Sequence, residues 1–327
     1  MTSPLTARSL PPETVAGLRP PRPGFPYFAH ADHFRLEPDA SDYSAVNAWW
    51  LADACFVVYG DPAFIEATFQ ASPLPALGFQ LDWLGTRTDN RGMVLSNSDV
   101  VVIVFRGTRL QMHALLDVAE IVLINRNDLW TDSRFLRVAC RAGGQVHAGF
   151  NSAFAEISDT LDAIVCNKRP EQRLWLTGHS LGGALATLAA AHLGTAAVQG
   201  LYTYGSPRVG NVAFVAELPR ESHCRFVHRD DWVPTVPPEF TGYVHGGTLQ
   251  TVPGSPPRRL WNDFTSGAGE FAAALKAMAG ELRVSVRDLP FRIPGLADHA
   301  PIYYATLLWN ALPGVSVQVN AADSKTA

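Results

Sequence analysis

Apolar and polar positions alternate along this chain in two distinct rhythms. Val100-Val101-Val102-Ile103-Val104-Phe105 is apolar at every position and β-branched, the pattern of a strand covered on both faces. Leu174-Trp175-Leu176-Thr177 reads as another buried strand, and Gly200-Leu201-Tyr202-Thr203-Tyr204 and Cys224-Arg225-Phe226-Val227-His228 as further strands. Between them the spacing becomes helical. Residues 43–59 carry Val46, Trp49, Trp50, Cys55, Val57 and Val58 among alanines and predict a core helix that stops at Gly60-Asp61-Pro62. Shorter helices are predicted over 64–69, from 151 to about 167 with a cap near Ser152, from 211 to 217, and over 264–278; a last one begins near Asp298-His299. Residues 110–125 have one apolar helical face, yet 118–124 could equally be a strand; the reading taken is a short helix to about Leu116 followed by a strand.

Strands alternating with helices in a single series, without an internal repeat, predict an α/β chain. Its central sheet should be mostly parallel, with helices on both faces. Residues 1–40 depart from this rhythm. They are rich in proline and lack apolar periodicity, which predicts an arm that wraps the domain or a partly disordered tail. The expected organisation is therefore an arm over 1–40 and one domain over 41–320.

At 327 residues, with 47% apolar and 17% charged residues, the chain has enough apolar material for a substantial core. A net charge of −4 and no Lys/Arg cluster exclude a nucleic-acid surface, and no apolar run is long enough to cross a bilayer. Cys55, Cys140, Cys166 and Cys224 have no metal-ligand spacing and read as buried thiols, so no metal is expected. The first residues include Arg8, Arg19 and Arg22 but no apolar leader, which predicts a cytoplasmic protein. A secreted chain whose leader had been removed would look the same.

The chemistry concentrates where a predicted strand meets a predicted helix. Gly178-His179-Ser180-Leu181-Gly182-Gly183 fits the turn in which a serine is held at the N-terminus of a helix. A serine hydroxyl needs a base, and the base needs a carboxylate to fix its tautomer. In sheets of this kind the acid and then the histidine follow the serine. Asp230 and Asp231 both follow the strand ending at His228, so either qualifies as the acid, and His299 is the late histidine. His179 should point away from the nucleophile and pack. His147, just before a predicted helix, reads as a structural hydrogen-bonding residue. One oxyanion donor should be the Leu181 N–H, and the other should come from Gly107-Thr108 at the exit of the earlier central strand.

Several segments together resemble one family, the class 3 lipases. They are Phe105-Arg106-Gly107-Thr108, Val146-His147-Ala148-Gly149-Phe150, Thr177-Gly178-His179-Ser180-Leu181-Gly182-Gly183-Ala184, Tyr204-Gly205-Ser206-Pro207-Arg208-Val209-Gly210-Asn211, Asp231-x-Val233-Pro234 and Asp298-His299. They occur in the family's order over about residues 95–310. The resemblance implies an α/β-hydrolase fold and ester hydrolysis without a cofactor. It implies Ser180 as nucleophile, Asp231 as acid, His299 as base, and Thr108 with Leu181 as the oxyanion hole.

The implied substrate is an acylglycerol ester met at an oil–water or membrane interface, with triacylglycerol first. A phospholipase A1 or a soluble feruloyl-type esterase is the nearest alternative, and a non-catalytic binding scaffold a more distant one. The stretch 109–120 is similar to the family's lid, although an ordinary surface helix fits it equally well. A monomer is favoured. The arm and residues 253–289 have no counterpart in the resemblance.

Overall fold

The computed structural model describes residues 5–87, 90–107, 136–219, 222–254, 295 and 297–316. Along the chain the strands are β1 (Leu5–Thr6), β2 (Gln80–Gly85), β3 (Asn90–Ser96), β4 (Val100–Phe105), β5 (Arg137–Ala139), β6 (Gln145–His147), β7 (Arg173–His179), β8 (Gly200–Tyr204), β9 (His223–Val227), β10 (Thr248–Thr251) and β11 (Val315–Ser316). The helices are α1 (Val15–Leu18), α2 (Ala45–Val57), α3 (Pro62–Ala71), α4 (Ala148–Ala155), α5 (Ser158–Cys166), α6 (Leu181–Leu193), α7 (Val212–Val215) and α8 (Pro301–Asn310).

A seven-stranded sheet in the order β10-β9-β8-β7-β4-β3-β2 organises the molecule. The run from β10 to β4 is parallel, and β3 and β2 close one edge as an antiparallel hairpin. Because successive side chains of a strand point to opposite faces, β4 divides its residues cleanly. Val100, Val102 and Val104 join one apolar cluster with α2 and α8. Val101, Ile103 and Phe105 join another with α4, α5 and α6. Helices therefore cover both faces, which is why β4 is apolar throughout.

The predicted helix over 151–167 is two helices. α4 begins at Ala148 because the His147 imidazole accepts the Phe150 N–H, at 3.4 Å, and so acts as its N-cap. Ser, Thr, Asp and Asn are the usual caps, so the sequence pattern pointed to Ser152 instead. The backbone then leaves helical geometry at Ile157 (φ −122°) before α5 starts. Three other expectations lie outside the described residues: the element at 110–125, the lid at 109–120 and the helix at 264–278.

Part of the proline-rich segment is knitted into the core. Leu5 and Thr6 pair with Val315 and Ser316, and the Asn310 side chain bonds both the N–H and the carbonyl of Arg8. The Arg8 guanidinium makes a bidentate pair with Asp53 on α2, at 2.7 and 3.0 Å, and also bonds the Ala305 carbonyl on α8. Asp53 is fully buried and accepts the Phe28 N–H as well. Removing one member of a buried pair leaves an uncompensated charge. Asp53→Ala is therefore expected to lower the unfolding free energy by about 3–5 kcal/mol. Urea unfolding followed by tryptophan fluorescence checks this; a loss below about 1 kcal/mol, the size seen for exposed pairs, would contradict it.

Candidate active site

Every parallel strand from β4 to β9 delivers its C-terminal end to one rim of the sheet, and the candidate residues gather there. At the end of β7 the chain turns sharply into α6. Ser180 occupies the turn with φ 59° and ψ −129°, in a region that side-chain-bearing residues rarely adopt. Its N–H donates to the Tyr204 carbonyl at 3.0 Å, which ties the turn to the end of β8. The approach of α6 to the sheet is so close that a Cβ on Gly182 would lie 2.2 Å from the Phe105 carbonyl oxygen, so only glycine fits. Leu181 is the first residue of α6, where an N–H has no acceptor within the helix. Thr108 lies outside the described residues.

The turn after β9 carries Asp231, whose side chain is wholly buried. Its Oδ1 accepts the Val233 N–H at 3.0 Å, which orients the carboxylate. His299 Nδ1 lies 2.9 Å from both carboxylate oxygens, and the Tyr304 hydroxyl donates to Oδ2 at 2.5 Å. Burial alone would push this carboxyl up. The facing His299 charge and the bonds from His299 and Tyr304 outweigh it and hold Asp231 below the ordinary carboxylate range.

Asp230 takes no part in this cluster. Its N–H faces an Asp298 carboxylate oxygen at 3.3 Å, and its own side chain does not reach His299. Of the two aspartates left open by position alone, the structure thus brings Asp231 to the histidine.

Gly205 brings the two halves of the site together. It follows Tyr204, the acceptor of the Ser180 N–H. A Cβ on it would stand 2.6 Å from Asp231 Oδ2 and 2.9 Å from His299 Nδ1. The His299 ring also packs on that of His179, the neighbour of Ser180, with centroids 4.5 Å apart. Residues separated by most of a domain in sequence therefore line one small volume.

Two polar contacts here were not expected from sequence. Tyr304 lies on an apolar helix, and its hydroxyl both donates to Asp231 and accepts the His228 N–H at 3.2 Å. The available signal was general: a tyrosine in a buried helix needs a partner for its hydroxyl. His179 is the other. It is buried as expected, yet both ring nitrogens are engaged.

A mostly parallel sheet with a serine in the sharp turn between a central strand and its helix defines an α/β-hydrolase. The model of the class 3 lipases matches residues 102–241 of this chain. A secreted mono- and diacylglycerol lipase of Fusarium solani is 39% identical over 150 residues, covering 43% of this chain and 44% of that protein. A lipase of Rhizopus niveus is 32% identical over 173 residues, covering 49% and 41%. A secreted mono- and diacylglycerol lipase of Malassezia restricta is 33% identical over 159 residues, covering 46% and 51%. The chain spans about half the length of the curated relatives it matches.

These relatives correct the cytoplasmic expectation, since those from Fusarium and Malassezia are named as secreted. Of the four cysteines expected to be buried, Cys55 and Cys224 are, whereas Cys140 is half-buried and Cys166 exposed. Cys55 is buried, its thiol pushed up to about 12 by burial, and so is inert in either setting. Among the described residues no helix is long and apolar enough to cross a membrane.

Proposed function

We propose that this chain is a serine carboxylic ester hydrolase that cleaves acylglycerol esters outside the cell. The observation that carries the reading is the buried Asp231–His299 pair set beside a strained serine turn, within a stretch that the class 3 lipase model matches in part. Ser180 is the nucleophile, His299 the base and Asp231 the acid. The Leu181 N–H and Thr108 form the oxyanion hole.

In the first step Ser180 Oγ attacks the ester carbonyl while His299 Nε2 takes its proton. Asp231 accepts from Nδ1–H and stabilises the imidazolium. The tetrahedral oxyanion then collapses, and the alkoxide leaves with the proton from His299. Water, deprotonated by the same imidazole, attacks the acyl-enzyme and releases the fatty acid. No group beyond these side chains and water enters the scheme.

A p-nitrophenyl alkylphosphonate should label Ser180 and no other residue, as read by peptide mass. Label at another serine, or none, would overturn the assignment. Emulsified mono-, di- and triacylglycerols, phosphatidylcholine and a soluble feruloyl ester should be compared in parallel. The acylglycerols should be cleaved fastest, and a faster phospholipid or feruloyl reaction would move the substrate class.

A further inference from the structure

His179 precedes the serine in the turn, yet its side chain reaches the residue at the other end of the site. Its Nε2 lies 2.7 Å from the main-chain carbonyl oxygen of His299, and its Nδ1 lies 2.8 Å from the Tyr59 hydroxyl. We propose that Tyr59 and His179 are positioning residues for the base: Tyr59 fixes the tautomer of His179, and His179 holds the main chain of His299. This rests on His299 being the base of a serine hydrolase.

The proton positions follow from the partners. A carbonyl oxygen only accepts, so Nε2 of His179 must carry a proton. In the neutral ring Nδ1 is then the acceptor, and the Tyr59 O–H donates to it. Burial pushes the Tyr59 hydroxyl well above its ordinary value, so that proton stays in place. Without the phenol, Nδ1 loses its donor and only the carbonyl still favours the proton on Nε2. A ring whose proton moved to Nδ1 would meet the His299 carbonyl lone pair to lone pair, and the anchor would be lost.

His179 also stays neutral. Burial, and then the positive charge of His299, push it down to about 3, against a smaller opposing effect of Asp231. Its ring faces the rings of His299 and Tyr304 and the Tyr59 hydroxyl. A second cation 4.5 Å from His299 would make that imidazole a weaker base; a neutral donor does not.

The strand exit is shaped to admit the phenol. A Cβ on Gly107 would lie 2.2 Å from the Tyr59 hydroxyl and 2.8 Å from the His179 carbonyl. Tyr59, just beyond the end of α2, thus touches both the turn leading to Thr108 and the peptide bearing Ser180. Through His179 it is tied to the peptide bearing His299.

The test uses the full chain, a short soluble ester, and active-site titration with the phosphonate, so that turnover is counted per labelled Ser180. His179→Phe keeps the ring volume and loses the donor. Its kcat per site is expected to fall about 100-fold, the cost of a reacting group displaced by roughly 1 Å, with KM within about twofold. His179→Gln returns an N–H to the position of Nε2 and should recover most of that loss. Tyr59→Phe deletes one oxygen and should lower kcat about tenfold, the size of one hydrogen bond.

A merely structural role would lower Tm and the labelled fraction but leave turnover per labelled site at the wild-type value. That result, or a glutamine variant no better than phenylalanine, overturns the proposal. Should His179→Phe fail to fold, Tyr59→Phe and His179→Gln decide it by the same per-site measure. Wild-type protein that neither takes the label at Ser180 nor cleaves the ester overturns the hydrolase reading itself, whereas active wild type with unaffected variants overturns this inference alone.

Discussion

Ser180→Ala is expected to lower kcat by about 10⁶, because a nucleophile and its base act as a unit and neither retains value alone. The change removes one oxygen and little else. The turn is held by the Ser180 N–H bond to the Tyr204 carbonyl, which alanine keeps. Its positive φ strains alanine as it strains serine, so the native geometry should persist. The Asp231–His299 pair depends on no atom of the serine side chain. Turnover of a short ester should therefore collapse while Tm stays within a few degrees of the wild type. Residual turnover within about 100-fold of the wild type would mean that the acyl group is carried elsewhere, since triad removal costs far more than that.

Asp231→Asn should cost about 10⁴ in kcat, the loss seen when a triad carboxylate becomes an amide. The amide can turn its NH₂ toward His299 Nδ1, which then accepts, and the imidazole proton moves to Nε2. A nitrogen bearing a proton cannot take one from Ser180. The change also leaves the Tyr304 hydroxyl facing an amide in place of the charge it now contacts. Asp230→Asn is the matched control. Its side chain does not touch His299, and kcat should change less than about tenfold, in line with a substitution outside the reacting groups. The ratio of the two kcat values decides the acid, and comparable losses would move the assignment away from Asp231.

What could be read from sequence was whatever is local. The uniform apolar run of β4 announces a strand covered on both faces, and the glycines around Ser180 announce a close approach of helix to strand. Asp231 and His299 follow from chain order together with the family resemblance. The polar contacts made across the core could not be read in this way. Tyr59, His179 and Tyr304 look like core residues in a linear pattern, and their roles arise only when α2, β7 and α8 meet. The β2–β3 hairpin was missed for a different reason. β2 lies at the sheet edge and is largely half-exposed, so it lacks the apolar run that marks the buried strands. Asp53 did carry a hint, an acid within an otherwise apolar helix. No spacing rule connects it to Arg8, which precedes it by 45 residues.

The same six residues that make β4 the spine of the sheet also set a condition on how the chain reaches its native state. β4 can zip onto β3 early, through a short connection. Its other edge waits for β7, which lies beyond two helices and a small hairpin. Until β7 arrives, an uncharged, β-branched edge stands open to any neighbouring molecule, the kind of segment that seeds aggregates. Recovery after denaturation should thus be governed by protein concentration and by chaperones that shield this edge.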